Sequence, residues 1–479
     1  MYAMSAYLLL IRGYADMAFF TQLGTMLWSG PLLVGFLVVG LYYSLRTGFF
    51  QIFGLPVWFK HTVGALWKRQ KQAREGVTQL QALSTALAAT IGTGSVAGVA
   101  AAIFFGGPGT VFWMWMSALL GMMTGCGEKI LAICFREKDE KGQWRGGPMT
   151  YIQQGLKLRW LGCVYALLCV AETLVGGNLA QANSIATALE RSAGLSPKAV
   201  GVVLAVVVSV VLMGGIRRVS RLSQLLVPIM AGVFLVGGVG VIAVNAQKLP
   251  QVMEQIVGYA FAPKAAVGGY TMGLALRYGV ARGVFSNEAG VGMSAMAHAC
   301  AQVDHPGKQG MWGIFEVFFA TLVICTVTSL VILTSGVYDP LAAQEMIAAG
   351  EIPREMLGSN LASAGFASLW GQAGEWMVTV CLTLFAFTSL VGAGYYGRRG
   401  VETLTRSRFV LGVYHVAFPL CVVAGAVGDL AAVWELVDLC NGLLAIPNLV
   451  ALLLLSPVAL RSLREWQTIN KMKKNEKGC

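Results

Sequence analysis

Two stretches of the chain set glycine and small polar side chains in the middle of apolar runs: Ala-Ala-Thr-Ile-Gly-Thr-Gly-Ser at 88–95 and Phe-Ser-Asn-Glu-Ala-Gly-Val-Gly at 285–292. Each interior glycine weakens a helix by roughly 1 kcal/mol relative to alanine, so both stretches read as helix breaks. Where a helix unwinds, free N–H groups face one way and free C=O groups the other, each end equivalent to about half an elementary charge. Such poles hold an anionic group on the donors and a cation on the acceptors without burying a formal countercharge. We assign the donor role to the amides of Gly92, Thr93 and Gly94, and a sodium ion to the carbonyls near Ala88 and Ile91.

Other polar residues at depth add to this set. Asn178 and Gln181 lie three apart and would share one helical face, placed either to reach an amine or to hydrogen-bond a neighbouring helix. Thr388 and Ser389 supply the oxygens that a hard cation prefers, although membrane helices often turn such hydroxyls back onto their own carbonyls. Ionisable residues inside apolar spans are Glu128, Glu172, Glu288, Glu316, Lys129, Arg277 and Arg282. Arg282 and Glu288 flank the second break and read as a gate or as an internal ion pair. The four histidines are dispersed and the ten cysteines form no CxxC pair, so no metal centre, cofactor site or catalytic constellation is visible and an enzyme is not expected.

The elements that must hold these residues follow from composition. The 479 residues are 56% hydrophobic and 12% charged, with a mean hydropathy of +0.67. A soluble domain carries about 25% charged residues, which excludes a cytosolic enzyme and leaves an integral membrane protein. Eleven segments suit a span of about 20 apolar residues: 31–50, 79–104, 110–135, 160–189, 198–214, 223–245, 271–300, 311–335, 374–396, 408–426 and 431–459. None alternates like a barrel strand, so the fold is all-α and polytopic. Most of the 35 basic residues fall in loops on one side when eleven spans are threaded. Under the positive-inside rule this puts the C-terminus in the cytoplasm and the N-terminus outside, in a bacterial inner membrane. The first residues lack a basic region before their apolar stretch and do not read as a cleaved signal. The breaks fall in the second and seventh spans, five apart. That spacing predicts an N-terminal segment and extra helix with a basic loop (1–78), two inverted five-helix repeats (79–245 and 271–459) and a basic tail (460–479).

The motifs resemble a known family. Thr-Ala-Leu-Ala-Ala-Thr-Ile-Gly-Thr-Gly at 85–94, Gly-Gly-Pro-Gly at 106–109 with Val-Phe-Trp-Met-Trp at 111–115, Arg-Gly-Gly-Pro-Met at 145–149, Gln-Ala-Asn-Ser-Ile-Ala at 181–186, Phe-Ser-Asn-Glu-Ala-Gly-Val-Gly at 285–292, Asp-His-Pro at 304–306 and Asn-Gly-Leu-Leu-Ala-Ile-Pro-Asn-Leu at 441–449 together resemble the alanine or glycine:cation (sodium:alanine) symporters. The resemblance implies a leucine-transporter-like core and symport of a small neutral amino acid with sodium, or in some members protons. It implies substrate contacts at Thr93, Gly94, Gln181, Phe285, Ser286 and Ser389, beside which we set Gly92, Asn178 and Asn287. It implies a cation at Ala88, Ile91, Thr388 and Ser389. Ser95, Gly125, Gln224, Ala320, Ala393 and Arg398 depart from the family's usual Asn, Lys, Glu, Asp, Trp and Glu. The loss of oxygen ligands at 95 and 320 makes one cation, or a proton, the expectation. Alanine at 393, should it line the pocket, makes room for a side chain larger than methyl.

The expected function is therefore cation-coupled uptake of an amino acid such as alanine or glycine by alternating access. Alternatives are a proton-coupled or uncoupled carrier of a larger neutral amino acid, a channel or facilitator, and a non-transporting sensor. The expected partners are the amino acid, the sodium ion and the bilayer, without nucleic acid.

Overall fold

The computed structural model describes residues 22–24, 26–28, 30–66, 76–139, 142–262, 271–353, 356, 358–428 and 430–475, with the side chains of 430–435 and 473–475 outside the description. The N-terminal stretch read as uncleaved lies outside the described residues, as do Lys68, Arg69, Lys71 and Arg74 of the basic loop.

Among the described residues, eight helices are long and apolar enough to cross a membrane, including Thr110–Cys134, Arg159–Ala193, Gly215–Val244, Pro306–Ser335, Gln372–Leu404 and Arg408–Val427. Three expected spans are helical without forming one continuous crossing length. Pro197–Leu212 is a 16-residue helix. The other two are the interrupted segments, and both breaks fall inside the predicted stretches. Many large apolar side chains point outward, as Val202, Val203, Val206 and Val210 do, which suits a helix face turned to lipid rather than water. A two-stranded antiparallel ribbon pairs Glu137–Lys138 with Trp144–Arg145.

The first broken helix begins with a capping box in which Gln81 N donates to Thr78 Oγ1 at 3.1 Å and Thr78 N to Gln81 Oε1 at 3.0 Å. It runs over Gln79–Thr90 and stops at Ile91; Gly92 is extended, Thr93–Ser95 makes one tight turn, and the helix resumes over Ala97–Gly106. The second runs over Met272–Asn287 and ends where Glu288 turns left-handed at φ 54°, followed by Gly290 at φ 96° and Gly292 at φ 90°. Two glycines at positive φ let the chain reverse where a β-carbon would be strained. A short helix, Ala295–Ala299, continues the segment.

The helix bearing Asn178 departs from the regular spacing. Residues Val175–Leu179 form a π turn between Arg159–Leu174 and Ala180–Ala193. A π turn inserts an extra residue, so positions three apart across it no longer share a face. Around this frame, Thr110–Cys134 packs against Pro306–Val317 and Met272–Asn287, and Gln372–Leu404 packs against Arg159–Leu174 and Ala180–Ala193.

Candidate functional site

The two breaks meet on one narrow cavity of about 30 Å³, lined by residues including Gly92, Gly94, Glu172, Gln181, Phe285, Glu288, Ser389, Ala393, Tyr396 and Asn441. That volume is about what one water needs, so a larger guest has to push the walls apart. A wider groove of about 660 Å³, lined by no residue of either break, lies between Arg46, His305 and the Ser456–Asn475 helix.

At the first break the peptide poles are met by side chains. Thr93 N donates to Gln181 Oε1 at 3.3 Å, and Ser389 Oγ donates to Ala88 O at 3.0 Å and Ala89 O at 3.1 Å. Gln181 and Ser389 thus sit on the donor and acceptor sides of the same unwound turn. The approach is close: a β-carbon at Gly92 would stand 2.6 Å from Ser389 Oγ, and one at Gly94 2.5 Å from the Phe285 ring.

The second break is satisfied largely from within the protein. Gly290 N donates to Glu128 Oε1 at 2.8 Å, Asn448 Nδ2 donates to Gly290 O at 2.8 Å, and Tyr165 donates its hydroxyl to Val291 O at 2.9 Å. Asn287 stabilises the turn itself, accepting from Ala289 N at 2.9 Å and donating to Thr321 Oγ1 at 3.0 Å. Behind the cavity, Ser286 links the breaks through a 3.0 Å hydrogen bond to Ser95 and also meets Cys325 Sγ at 3.0 Å. Only the first break therefore keeps its poles against groups that a ligand can replace.

Several expected contacts fall elsewhere. Asn178 does not share a face with Gln181: beyond the π turn its amide donates to Phe418 O at 2.8 Å, between helices. Thr388 bonds back to Phe385 O at 3.0 Å, leaving Ser389 as the hydroxyl that reaches the first break. Ala88 and Ile91 lie next to the cavity wall, which is formed by Ala89 and Thr90. Ser286 and Asn287 are buried behind that wall.

The Arg282–Glu288 pair is not formed. Arg282 binds Asp438 through two contacts of 2.8 Å, while Glu288, at the left-handed turn, lines the cavity. Nothing in the local sequence pattern around Asp438 names its partner, which lies 156 residues away in the chain.

A fully buried charge cluster props up the second break. Lys129 Nζ lies 3.3 Å from Glu128 Oε2, 3.2 Å from Glu316 Oε2 and 2.8 Å from Ser294 Oγ, and His298 Nε2 lies 3.1 Å from Glu316 Oε2. Buried pairs hold only when each charge is answered this fully. No group of three or more metal-ligating side chains occurs among the described residues.

The chain is similar to known proteins along nearly its whole length. The model of the sodium:alanine symporter family matches residues 15–478. The sodium/alanine symporter AgcS of Methanococcus maripaludis is 38% identical over 460 residues, covering 94% of this chain and 97% of that protein. The probable sodium/glutamine symporter GlnT of Bacillus subtilis is 35% identical, covering 92% and 88%. Among solved structures, a manganese transporter of Eremococcus coleocola shares the fold with a TM-score of 0.51 at 17% identity, covering 82% of this chain and 81% of that one. A match along nearly the whole chain, joined to two helices broken around one cavity, places this protein in the sodium:alanine symporter family, as a helical, multi-pass membrane transporter with a leucine-transporter-like fold.

Proposed function

We propose that the chain carries a small neutral amino acid into the cell together with sodium, by alternating access around the cavity between the breaks. The observation that supports this most is the opposed placement of Gln181 and Ser389 on the first break, one at a backbone donor and the other at backbone acceptors. A substrate carboxylate takes over the Thr93 amide from Gln181, with Gly92 and Gly94 giving it room to approach. A sodium ion takes the Ala88 carbonyl together with the Ser389 hydroxyl. Because both ligands order the same unwound turn, each lowers the cost of binding the other, and coupling is reciprocal.

The sodium/alanine name of one relative and the sodium/glutamine name of another bracket the substrate. Ala393 on the cavity wall favours the larger end of that range. In the membrane, the basic loops and tail lie in the cytoplasm and the N-terminus outside, with 79–245 and 271–459 as opposed repeats that rock about the site.

The test is uptake into proteoliposomes of purified protein, with labelled alanine and glutamine, under an inward sodium gradient and without one. Gradient-driven accumulation is expected. Uptake indifferent to both sodium and pH overturns the coupled reading, single-channel currents would favour a pore, and binding without flux a sensor.

A further inference from the structure

Three buried polar atoms on the cavity wall have no hydrogen-bond partner among the described residues: Glu172 Oε2, Glu288 Oε2 and Tyr396 Oη. Their residues are 3%, 9% and 1% exposed. They come from three separate elements, the Arg159–Leu174 helix, the second break and the Gln372–Leu404 helix, yet they line one small space. No lysine, arginine or histidine lines it with them. The nearby cations are engaged elsewhere, Lys129 with Glu128 and Glu316, and Arg282 with Asp438. Buried carboxylate oxygens left without a partner carry a large desolvation cost, which a ligand bearing positive charge and N–H donors removes.

We propose that Glu172, Glu288 and Tyr396 form an ammonium site, and that Glu172 selects for substrates with a free amino group. This rests on the amino-acid carrier reading and extends it. An ammonium brings three N–H donors, one for each unpartnered oxygen. The same molecule brings the carboxylate that the Gly92–Gly94 turn receives, so a zwitterion answers both ends of the cavity at once. In the same reading sodium takes other oxygens, those of Ala88 and Ser389, which are already joined by a hydrogen bond. The Glu172 carboxylate also folds directly over Gly176, where a β-carbon would stand 2.9 Å from its Oε2, so the glycine is what lets the acid lie flat against the wall.

The experiment measures binding to the purified full chain of L-alanine, of lactate (the same skeleton without the amine) and of ethylamine (without the carboxylate), in wild type, Glu172→Gln, Glu288→Gln and Tyr396→Phe. Wild type is expected to prefer alanine to lactate by a hundredfold or more. Glu172→Gln is expected to weaken alanine at least tenfold and to cut the preference over lactate by a similar factor, with the sodium half-saturation within twofold of wild type. Alanine binding within twofold of wild type in both glutamine variants overturns the proposal. A loss of sodium dependence with ethylamine binding intact also overturns it, in favour of a cation site. If no amino acid is transported, the carrier reading fails separately. Saturable ethylamine binding that disappears in Glu172→Gln still supports the ammonium site, and its absence from wild type refutes it. Should Glu172→Gln fail to fold, Glu288→Gln and Tyr396→Phe give the same readout.

Discussion

Arg282 holds Asp438 through two contacts of 2.8 Å, and the same guanidinium lies 5.9 Å from the centre of the Phe285 ring that rests against Gly94. The ion pair and the ring therefore stack on one side of the cavity, linking the helix before the second break to the helix at Leu430–Leu454. The Arg282 side chain is 12% exposed and the Asp438 side chain 31%, an accessible pair suited to opening.

Asp438→Asn should loosen that side of the cavity. A partly exposed pair contributes up to about 1 kcal/mol, so the open fraction rises roughly fivefold. A cysteine placed at Ala393 in a cysteine-replaced chain should then react several times faster with a membrane-impermeant thiol reagent. Unchanged labelling would remove the pair from any gating role.

Gly94→Leu should abolish amino-acid binding, because even a β-carbon there meets the Phe285 ring at 2.5 Å and a carboxylate has no way in. A ligand panel read as thermal shift would reveal this. Wild-type shifts in the variant would disprove the donor assignment at the first break.

The two neighbouring hydroxyls separate cleanly. Ser389→Ala removes a group that touches Ala88 O and Ala89 O, and should raise the sodium concentration for half-maximal uptake several-fold. Thr388→Val removes only a bond to its own helix and should leave that concentration nearly unchanged. Equal effects would mean that the cation lies elsewhere.

Ala393→Trp should shift selectivity toward the smallest substrates. Ala393 lines the cavity beside Gly177, and filling that space removes room on the order of several methylenes, each worth about 0.8 kcal/mol when buried. The ratio of glutamine to alanine uptake should fall at least tenfold; a constant ratio would place the side-chain subsite on another wall.

Lys129→Met leaves Glu128 and Glu316 buried without their cation. Breaking a buried pair costs about 3–5 kcal/mol, so the melting temperature in detergent should drop sharply. A melting curve like that of wild type would mean that the cluster is not a brace for the second break.

Both breaks were legible in the sequence because two glycine-plus-polar runs stand at matched places, five spans apart; glycines alone do not interrupt the helices Gly215–Val244 and Gln372–Leu404. Gln181 and Ser389 were legible as polar groups at depth. Of the two roles open to Asn178, the hydrogen bond to a neighbouring helix is the one formed; its expected face-sharing with Gln181 assumed α-helical spacing, which the π turn at Val175–Leu179 breaks. The Arg282–Asp438 pair joins residues 156 apart in the chain, so neither sequence neighbourhood names the other. Glu172 was visible as a buried acid, but its place on the cavity wall required the fold.

The Lys129 cluster also constrains how the chain is made. Inserting a lysine into the apolar interior of a bilayer costs up to about 2.5–3.5 kcal/mol, and of the partners that meet Lys129 in the folded protein only Glu128 has been made before residue 294. Glu316, Ser294 and His298 emerge later, on the second half of the protein. The Thr110–Cys134 helix must therefore stay sheltered by the insertion machinery, or by its earlier neighbours, until the distal half arrives. A nascent chain halted before that point should be a marked substrate for membrane quality-control proteases, whereas one halted after the Pro306–Ser335 segment should escape them.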